Sequence, residues 1–148
     1  MLNMFKSNRN QKRDSNLNCK VIHYSELSEI LSIFSEEEKI MITREPPKEE
    51  TNTIYFWLSK VEHPNAISPT KLYILEEAVR AALKDNKGKV IIFDAFEYIK
   101  VENGTTAALR FVGKLRDMAL LSNSKFVISV SDALDEREKA FLKRIIDE

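Results

Sequence analysis

The sequence is poor in glycine, histidine and cysteine, and each shortage excludes a class of site. It has three glycines in 148 residues, the first of them Gly88, and it contains no G-x-x-x-x-G-K-[ST] phosphate loop. The two histidines, His23 and His63, are too few for a multi-histidine zinc site. The single cysteine, Cys19, has no partner for an intrachain disulfide, which fits a reducing compartment.

Long apolar runs and an excess of one charge are also absent. No stretch is apolar enough over about 20 residues to cross a bilayer, and the beginning MLNMFKSNRNQKR lacks the apolar core of a secretion signal. Basic and acidic residues number 23 each, so no global field draws the protein to nucleic acid or anionic lipid. We therefore expect a cytoplasmic protein without membrane contact, of a length that suits one domain.

The first 18 residues differ in composition from the rest of the chain. They bury too little apolar surface to offset the entropy lost on ordering, so we predict a flexible basic tail over residues 1–18 and a single α/β domain over 19–148. The alternatives are a docking peptide or an arm that binds nucleic acid weakly, in a nonspecific and salt-sensitive way. The basic residues of this tail are Lys6, Arg9, Lys12 and Arg13.

Strand and helix patterns alternate from residue 19 onward. Strands are predicted at residues 19–24, 39–43, 53–59, 89–94 and 125–130, where branched and aromatic residues cluster. Helices are predicted at residues 26–34, 105–121 and 135–146, and a further long one opens at Ser68-Pro69-Thr70 and ends at Gly88. The last two strands are continuous apolar runs, which is typical of parallel strands covered on both faces. The alternation predicts a three-layer α/β/α fold with a mostly parallel central sheet of about five strands.

One connection leaves the strand directions open. Residues 44–52 join the second and third predicted strands and show no helix pattern. A parallel crossover usually needs a dozen or more residues, so this link is barely long enough. The sequence therefore does not decide whether these two strands are parallel.

The segment KVIIFDAFEYI, residues 89–99, ends a buried strand in the carboxylate of Asp94. In nucleotide-hydrolysing α/β folds such an acid often reaches a magnesium ion, but that role depends on the phosphate loop that this chain lacks. Ligands of open parallel sheets bind beyond the carboxyl ends of the strands. The residues predicted to form that rim are Thr43, Arg44, Glu45, Ser59, Lys60, Asp94, Glu97, Ser131 and Asp132.

The predicted rim has two interpretations. Its basic residues, Arg44 and Lys60, can close an ion-pair network with its acids, which is a purely structural role. It can also bind a cation through the acids or a phosphate through the two basic residues. No G-x-S-x-G nucleophile elbow occurs, and we predict no catalytic residue, metal site or cofactor.

The predicted helix 105–121 is apolar over more than half of its circumference. A helix packed on one sheet needs a narrower apolar stripe. Arg116 lies within the apolar flank, and a buried guanidinium requires a carboxylate partner. The helix is either covered by its neighbours or exposes a self-association face. That face would consist of Leu109, Val112, Arg116 and Leu120.

Six short segments, taken in order, resemble an archaeal family known as domain of unknown function 835. They are TREPP at 43–47, WLS at 57–59, ISPT at 67–70, FDAFEYI at 93–99, LRD at 115–117 and LDERE at 134–138. The resemblance spans residues 19–148 and departs from the family pattern at Ala95, where a glycine is common, and in the short 44–52 link. It implies an archaeal, often heat-loving source and relatives that stand alone or are attached to sensor and signalling domains, and it implies no known reaction.

The predicted layout is also similar to the RecA- and KaiC-like ATPase core, and to Rossmann-like sheets, with the phosphate loop removed. In that likeness, Asp94 takes the place of the magnesium-binding acid. We therefore expect a non-enzymatic interaction or regulatory module whose partner is another protein or a second copy of the chain. The alternatives are a nucleotide- or small-ligand-binding domain related to RecA-like ATPases, and a nucleic-acid accessory protein that uses the basic tail.

Overall fold

The structure is a computed structural model that describes residues 18–48 and 50–147. The basic tail residues Lys6, Arg9, Lys12 and Arg13 lie outside the described residues. The strands are β1 (Cys19–His23), β2 (Lys39–Thr43), β3 (Ile54–Leu58), β4 (Ala66–Ile67), β5 (Val90–Asp94) and β6 (Lys125–Val130). The α-helices are α1 (Leu27–Ile33), α2 (Leu72–Lys84), α3 (Phe96–Asn103), α4 (Thr105–Leu121) and α5 (Glu136–Asp147).

The six strands form one sheet in the order β1-β6-β5-β2-β3-β4, and every neighbouring pair is parallel. Helices lie on both sides of this sheet, which confirms the predicted three-layer α/β fold with one strand more than expected. The extra strand is β4, whose two residues are too short to give a sequence pattern.

The connection between β2 and β3 answers the question that the sequence left open, because the two strands are parallel. The link covers residues 44–53 and contains no helix among its described residues. It has to return over a strand of five residues, about 16 Å, and ten extended residues reach about 33 Å. A loop is therefore long enough for this crossover without a helix.

The two faces of the sheet are covered very differently. Residues paired in a parallel register lie on the same face, so Ile42, Phe93 and Ile128 share one face, and Met41 and Ile92 share the other. We call the first the core face and the second the cleft face. Residues from α2, α3, α4 and α5 pack on the core face, whereas the cleft face is packed by α1.

The local predictions differ from the structure in two further places. The segment after Asp94 forms α3, with Phe96 and Ile99 buried against the core face, and Gly104 separates it from α4 with a φ of 90°. Helix α2 begins at Leu72, because Ser68 caps a preceding turn: the Thr70 amide donates to Ser68 Oγ at 3.3 Å. The bounds of β2, β6 and α4 are those predicted.

None of the helices in the described part of the chain combines the length and the apolar character that a bilayer crossing would require.

Candidate ligand-binding cleft

The candidate site lies where the chain connections of the sheet change direction. From β5 the chain continues to β6 on one side, and from β2 it continues to β3 on the other side. Open parallel sheets bind ligands at such a switch point, beyond the carboxyl ends of the two central strands. Here those ends are Asp94 of β5 and Thr43 of β2, which are paired in register.

A row of polar side chains crosses the cleft face at this edge. Thr43 is paired with Asp94 on one side and with Trp57 on the other. Ser129 stands beside Asp94, one residue beyond the last paired position of β5 and β6. Thr43 and Ser129 are almost fully buried, with exposed fractions of 3% and 1%. Strands that are apolar over most of their length therefore end in hydroxyls around one carboxylate.

Asp94 is the electrostatic centre of this row. It is half-buried, and burial raises the pKa of its carboxyl group above the ordinary value of 3.8. The nearby carboxylates of Glu45 and Glu97 raise this pKa further, while the hydroxyls of Ser129 and Thr43 oppose the rise. Asp94 makes no ion pair with a described residue. Its negative charge is therefore held in the fold without a compensating cation from the described chain.

The hydroxyl of Ser129 is the second unusual group. It is the buried side-chain oxygen that lacks a well-formed hydrogen bond within the described residues. It lies close enough to Asp94 to lower the pKa of that carboxyl group, but the geometry falls short of a regular hydrogen bond. A buried hydroxyl needs a hydrogen-bond partner, and the Asp94 carboxylate is the group that Ser129 acts on.

In front of Asp94 lies a cleft of about 390 Å³, within the size range of small-molecule sites. Its floor is the cleft face, one wall is α1, and the other wall is the link between β2 and β3. The apolar lining consists of Leu27, Leu31, Met41 and Pro46, and the polar lining consists of Glu36, Lys39, Thr43, Glu45, Lys48, Thr51, Thr53, Tyr55 and Asp94.

Tyr55 joins the apolar and polar parts of the cleft. It packs against the buried cluster of the cleft face, which includes its register partner Met41. Burial raises the pKa of its hydroxyl group above the ordinary value of 10, and the negative charges of Glu45 and Asp94 add to the rise. The phenol therefore faces the same acidic end of the cleft as the two carboxylates.

The other predicted rim residues have local partners instead of one shared network. Lys60 pairs with Glu102 at 2.7 Å, and Asp132 contacts His23 at 2.9 Å. The Ser131 amide donates to Glu97 at 2.6 Å, and the Val61 amide donates to Ser59 Oγ at 3.1 Å. The ion-pair network predicted for Arg44 and Lys60 with the rim acids does not form among the described residues.

Arg44 points away from Asp94. Its guanidinium lies 3.9 Å from the ring centroid of Tyr98 on α3, and its carbonyl oxygen accepts a hydrogen bond of 3.0 Å from the Trp57 indole. The basic residue that follows Thr43, the register partner of Asp94, is thus held on an aromatic ring. This arrangement leaves Asp94 and Glu45 as neighbouring acids at the cleft.

The predicted self-association residues do not lie together. Val112 is fully buried in the core, and Leu120 is 42% exposed. Leu109 and Arg116 line a second concavity of about 690 Å³ between α4 and α5, which we call the α4–α5 groove. The carboxylate partner predicted for Arg116 is Asp117, at 3.3 Å.

Sequence reasoning missed Tyr55, which lines the cleft, and Ser129, which is buried beside Asp94. Ser129 carries the one hydroxyl group in the apolar run of β6, and this was the only feature by which the sequence could have singled it out. Its place beside Asp94 depends on the adjacency of β5 and β6, which the sequence did not reveal. Tyr55 lies in the aromatic run of the third predicted strand, where its sequence pattern does not distinguish it from core residues, but it is half-buried and lines the cleft.

The arrangement can bind a small molecule by a charge and by hydrogen bonds. Asp94 and Glu45 supply negative charge, the hydroxyls of Thr43 and Tyr55 supply hydrogen bonds, and α1 supplies apolar surface. Within residues 18–48 and 50–147, no three His, Cys, Asp or Glu side chains are grouped in a way that could hold a metal ion.

Comparison with known proteins places the chain in a family. No curated protein matches its sequence significantly. A family model described as "Protein of unknown function (DUF835)" matches residues 21–146, which include the cleft and all six strands except the first two residues of β1. On the strength of this match over most of its length, the chain belongs to the DUF835 family.

Proposed function

We propose that this domain is a non-enzymatic regulatory module that binds a small molecule in the cleft on the cleft face. The observation that supports this most directly is Asp94, a half-buried carboxylate without an ionic partner among the described residues, at the floor of a cleft with one apolar wall. Keeping an unpaired charge partly buried costs stability, so its retention fits a role in binding.

Helix α1, which forms one wall of the cleft, suggests how ligand binding could be detected by a partner protein. Helix α1 has seven residues and contributes Leu27 and Leu31 to the cleft wall. An isolated helix of this length is unstable, so α1 depends on its packing against the cleft face. A ligand that contacts α1 and β2 together adds to this packing and shifts the population of the packed helix, which a partner protein can detect.

A fragment screen followed by ¹H–¹⁵N NMR tests the proposal. A mixed set of acidic, neutral and basic fragments, with adenosine and ATP included, is added to the labelled protein. We expect saturable shifts at the amides of α1, β2 and β5, and a ligand present at 100 times its dissociation constant adds about 2.7 kcal/mol to the free energy of unfolding. Each bound fragment is recovered afterwards, and we expect it to be chemically unchanged.

Two variants of α1 provide a matched comparison. Leu31→Trp places an indole in the cleft, whereas Ile33→Trp adds the same group on the same helix at a residue that is 44% exposed and outside the cleft lining. We expect the first to abolish fragment binding and the second to preserve it. Fragments that bind equally well to both variants, or that are converted to products, contradict the proposal.

A second candidate function is self-association through the α4–α5 groove. Its floor includes Leu109, Phe141 and Ile145, and its rims carry both arginines and acids, a mixture that a two-fold contact between identical copies can satisfy. Light scattering over a range of protein concentrations tests it. We expect a dimer that Arg110→Glu dissociates, and a monomer at every concentration rules this function out.

A further inference from the structure

The acidic end of the cleft indicates the chemical class of the ligand. We propose that the ligand is an organic cation with an apolar body, whose ammonium or amidinium group sits between Asp94 and Glu45. This inference rests on the proposed function, because it specifies what the same cleft binds.

The first argument is the position of charge along the cleft. Asp94 and Glu45 both line its end at the carboxyl edge of the sheet. Lys39 lines it at the start of β2, about 13 Å from Thr43 along the strand, and its ammonium group donates to the Leu31 carbonyl at 3.2 Å. Lys48 lines the cleft from the link and makes no ion pair with a described carboxylate. The carboxylate end therefore attracts positive charge.

The second argument concerns the hydroxyl group that supports Asp94. The Ser129 hydroxyl is 99% buried, lies beside Asp94 on the cleft face and has no well-formed hydrogen bond within the described residues. A hydroxyl can accept a hydrogen bond as well as donate one. Ser129 does not itself line the cleft, so its hydroxyl acts on a ligand through Asp94, whose carboxylate it can hold in place for a hydrogen bond from a ligand N–H group.

The third argument concerns the body of the ligand. Met41 and the ring of Tyr55 lie on the floor of the cleft, and Leu27 and Leu31 of α1 form its apolar wall. An aromatic ring beside two carboxylates is a favourable surrounding for an organic cation, since the ring face also attracts positive charge. A bare Mg²⁺ or Ca²⁺ ion prefers six or more oxygen ligands and gains nothing from apolar walls. The lining therefore fits an organic cation better than a metal ion.

Benzamidine and benzamide are suitable probes, because they have nearly the same shape and differ in charge. We expect benzamidine to shift the amides of β2 and β5 saturably and benzamide to bind at least tenfold more weakly. Asp94→Asn should weaken benzamidine about tenfold or more, because it removes the charge that strengthens the hydrogen bond to the amidinium group. Glu45→Gln should weaken it less, because Glu45 is exposed to solvent.

Asp132→Asn is the matched control. Asp132 lies at the same edge of the sheet, contacts His23 at 2.9 Å and does not line the cleft. We expect this variant to bind benzamidine like the unchanged protein. Equal loss in Asp94→Asn and Asp132→Asn would show a general effect of surface charge and would overturn the inference.

The remaining outcomes separate this inference from the function on which it rests. If benzamide and benzamidine bind in the cleft with equal affinity, the cleft is a ligand site but the preference for a cation is wrong. If MgCl₂ alone produces the same saturable shifts as benzamidine, the cation is a metal ion and the inference is also wrong. If no fragment of any charge shifts the cleft amides, the proposed function itself fails.

Discussion

The two faces of the sheet differ in how much they bury and in what they leave uncovered. Among the described residues, the core face belongs to a cluster of 23 buried apolar residues under four helices, whereas the cleft face has five under the short helix α1. Burial of apolar surface is the main stabilising term in folding, so the core face carries most of the stability. The cleft face is consequently the part of the molecule that can hold a destabilising charge.

Two carboxylates show the same contrast in electrostatic terms. Glu138 of α5 contacts Lys100 of α3, and the hydrogen bond from this lysine lowers the pKa of the Glu138 carboxyl group below 4.5. Asp94 has no such partner among the described residues, and burial raises its pKa above 3.8. One acid therefore stabilises the fold when it is ionised, and the other destabilises it.

Truncation of adjacent residues of β5 gives the largest expected effect. Ile91 lies on the core face, Ile92 lies on the cleft face, and both are fully buried. We expect Ile91→Ala to cost about 3–4 kcal/mol of the free energy of unfolding and Ile92→Ala about 2 kcal/mol, because the thin cover of α1 can relax into the cavity. Urea denaturation measures both values. An equal or larger loss for Ile92→Ala would show that the faces do not differ in this way.

Neutralising the two acids gives intermediate and opposite effects. Because the pKa of Asp94 is raised in the folded protein, the protonated carboxyl group contributes to the free energy of unfolding. This contribution is fully present below pH 3.8 and is lost as the pH rises through the pKa of the folded state. Asp94→Asn should therefore stabilise the protein at pH 7 by about 1 kcal/mol or less, after allowing for solvent screening, and this gain should shrink as the pH falls towards 3.8.

Glu138→Gln is the counterpart on the other side of the sheet. The ionised Glu138 carboxylate stabilises the fold, and this contribution is fully present above pH 4.5. It is lost as the pH falls through the lowered pKa of Glu138. This variant should destabilise the protein at pH 7 by about 0.5–1 kcal/mol, with no difference left in acid. Thermal unfolding of both variants and of the unchanged protein, over about four pH units from roughly pH 3 to roughly pH 7, measures how each stability difference depends on pH. Trends of the same sign for the two variants would contradict the contrast.

Replacement of Arg44 gives the smallest expected effect. Arg44→Gln removes the contact with the Tyr98 ring and should cost about 0.5 kcal/mol, as expected for an exposed cation–π pair. Because Arg44 does not pair with Asp94, the titration midpoint of Asp94 should stay where it is in the unchanged protein. A clear rise in that midpoint would mean that Arg44 neutralises Asp94 in solution.

Patterns within one segment were readable from the sequence, and relations between segments were not. The strands β2 and β6 and the long helix α4 have the bounds that were predicted. Helix α3 was missed because two buried residues, Phe96 and Ile99, give too short a periodic signal. The parallel pairing of β2 with β3 depends on the path of a loop, which local patterns do not encode.

The site shows the same limit. The predicted rim residues do follow strands that end at one edge, because all the strands are parallel. Their partners depend on the reach and direction of single side chains: Arg44 lies on Tyr98, and Lys60 pairs with Glu102. Ser129 reaches Asp94 only through the order of the strands. The edge was therefore predictable, and the isolation of Asp94 was not.

The titration of the Asp94 carboxyl carbon, followed by ¹³C NMR with and without benzamidine, tests the central claim most directly. We expect a midpoint above 3.8 in the free protein, because the carboxylate is half-buried without a described cationic partner. We expect benzamidine to lower this midpoint, because a bound cation favours the ionised form. A midpoint at or below 3.8 in the free protein, unchanged by benzamidine, would show that Asp94 is already neutralised and that the cleft is not built around it.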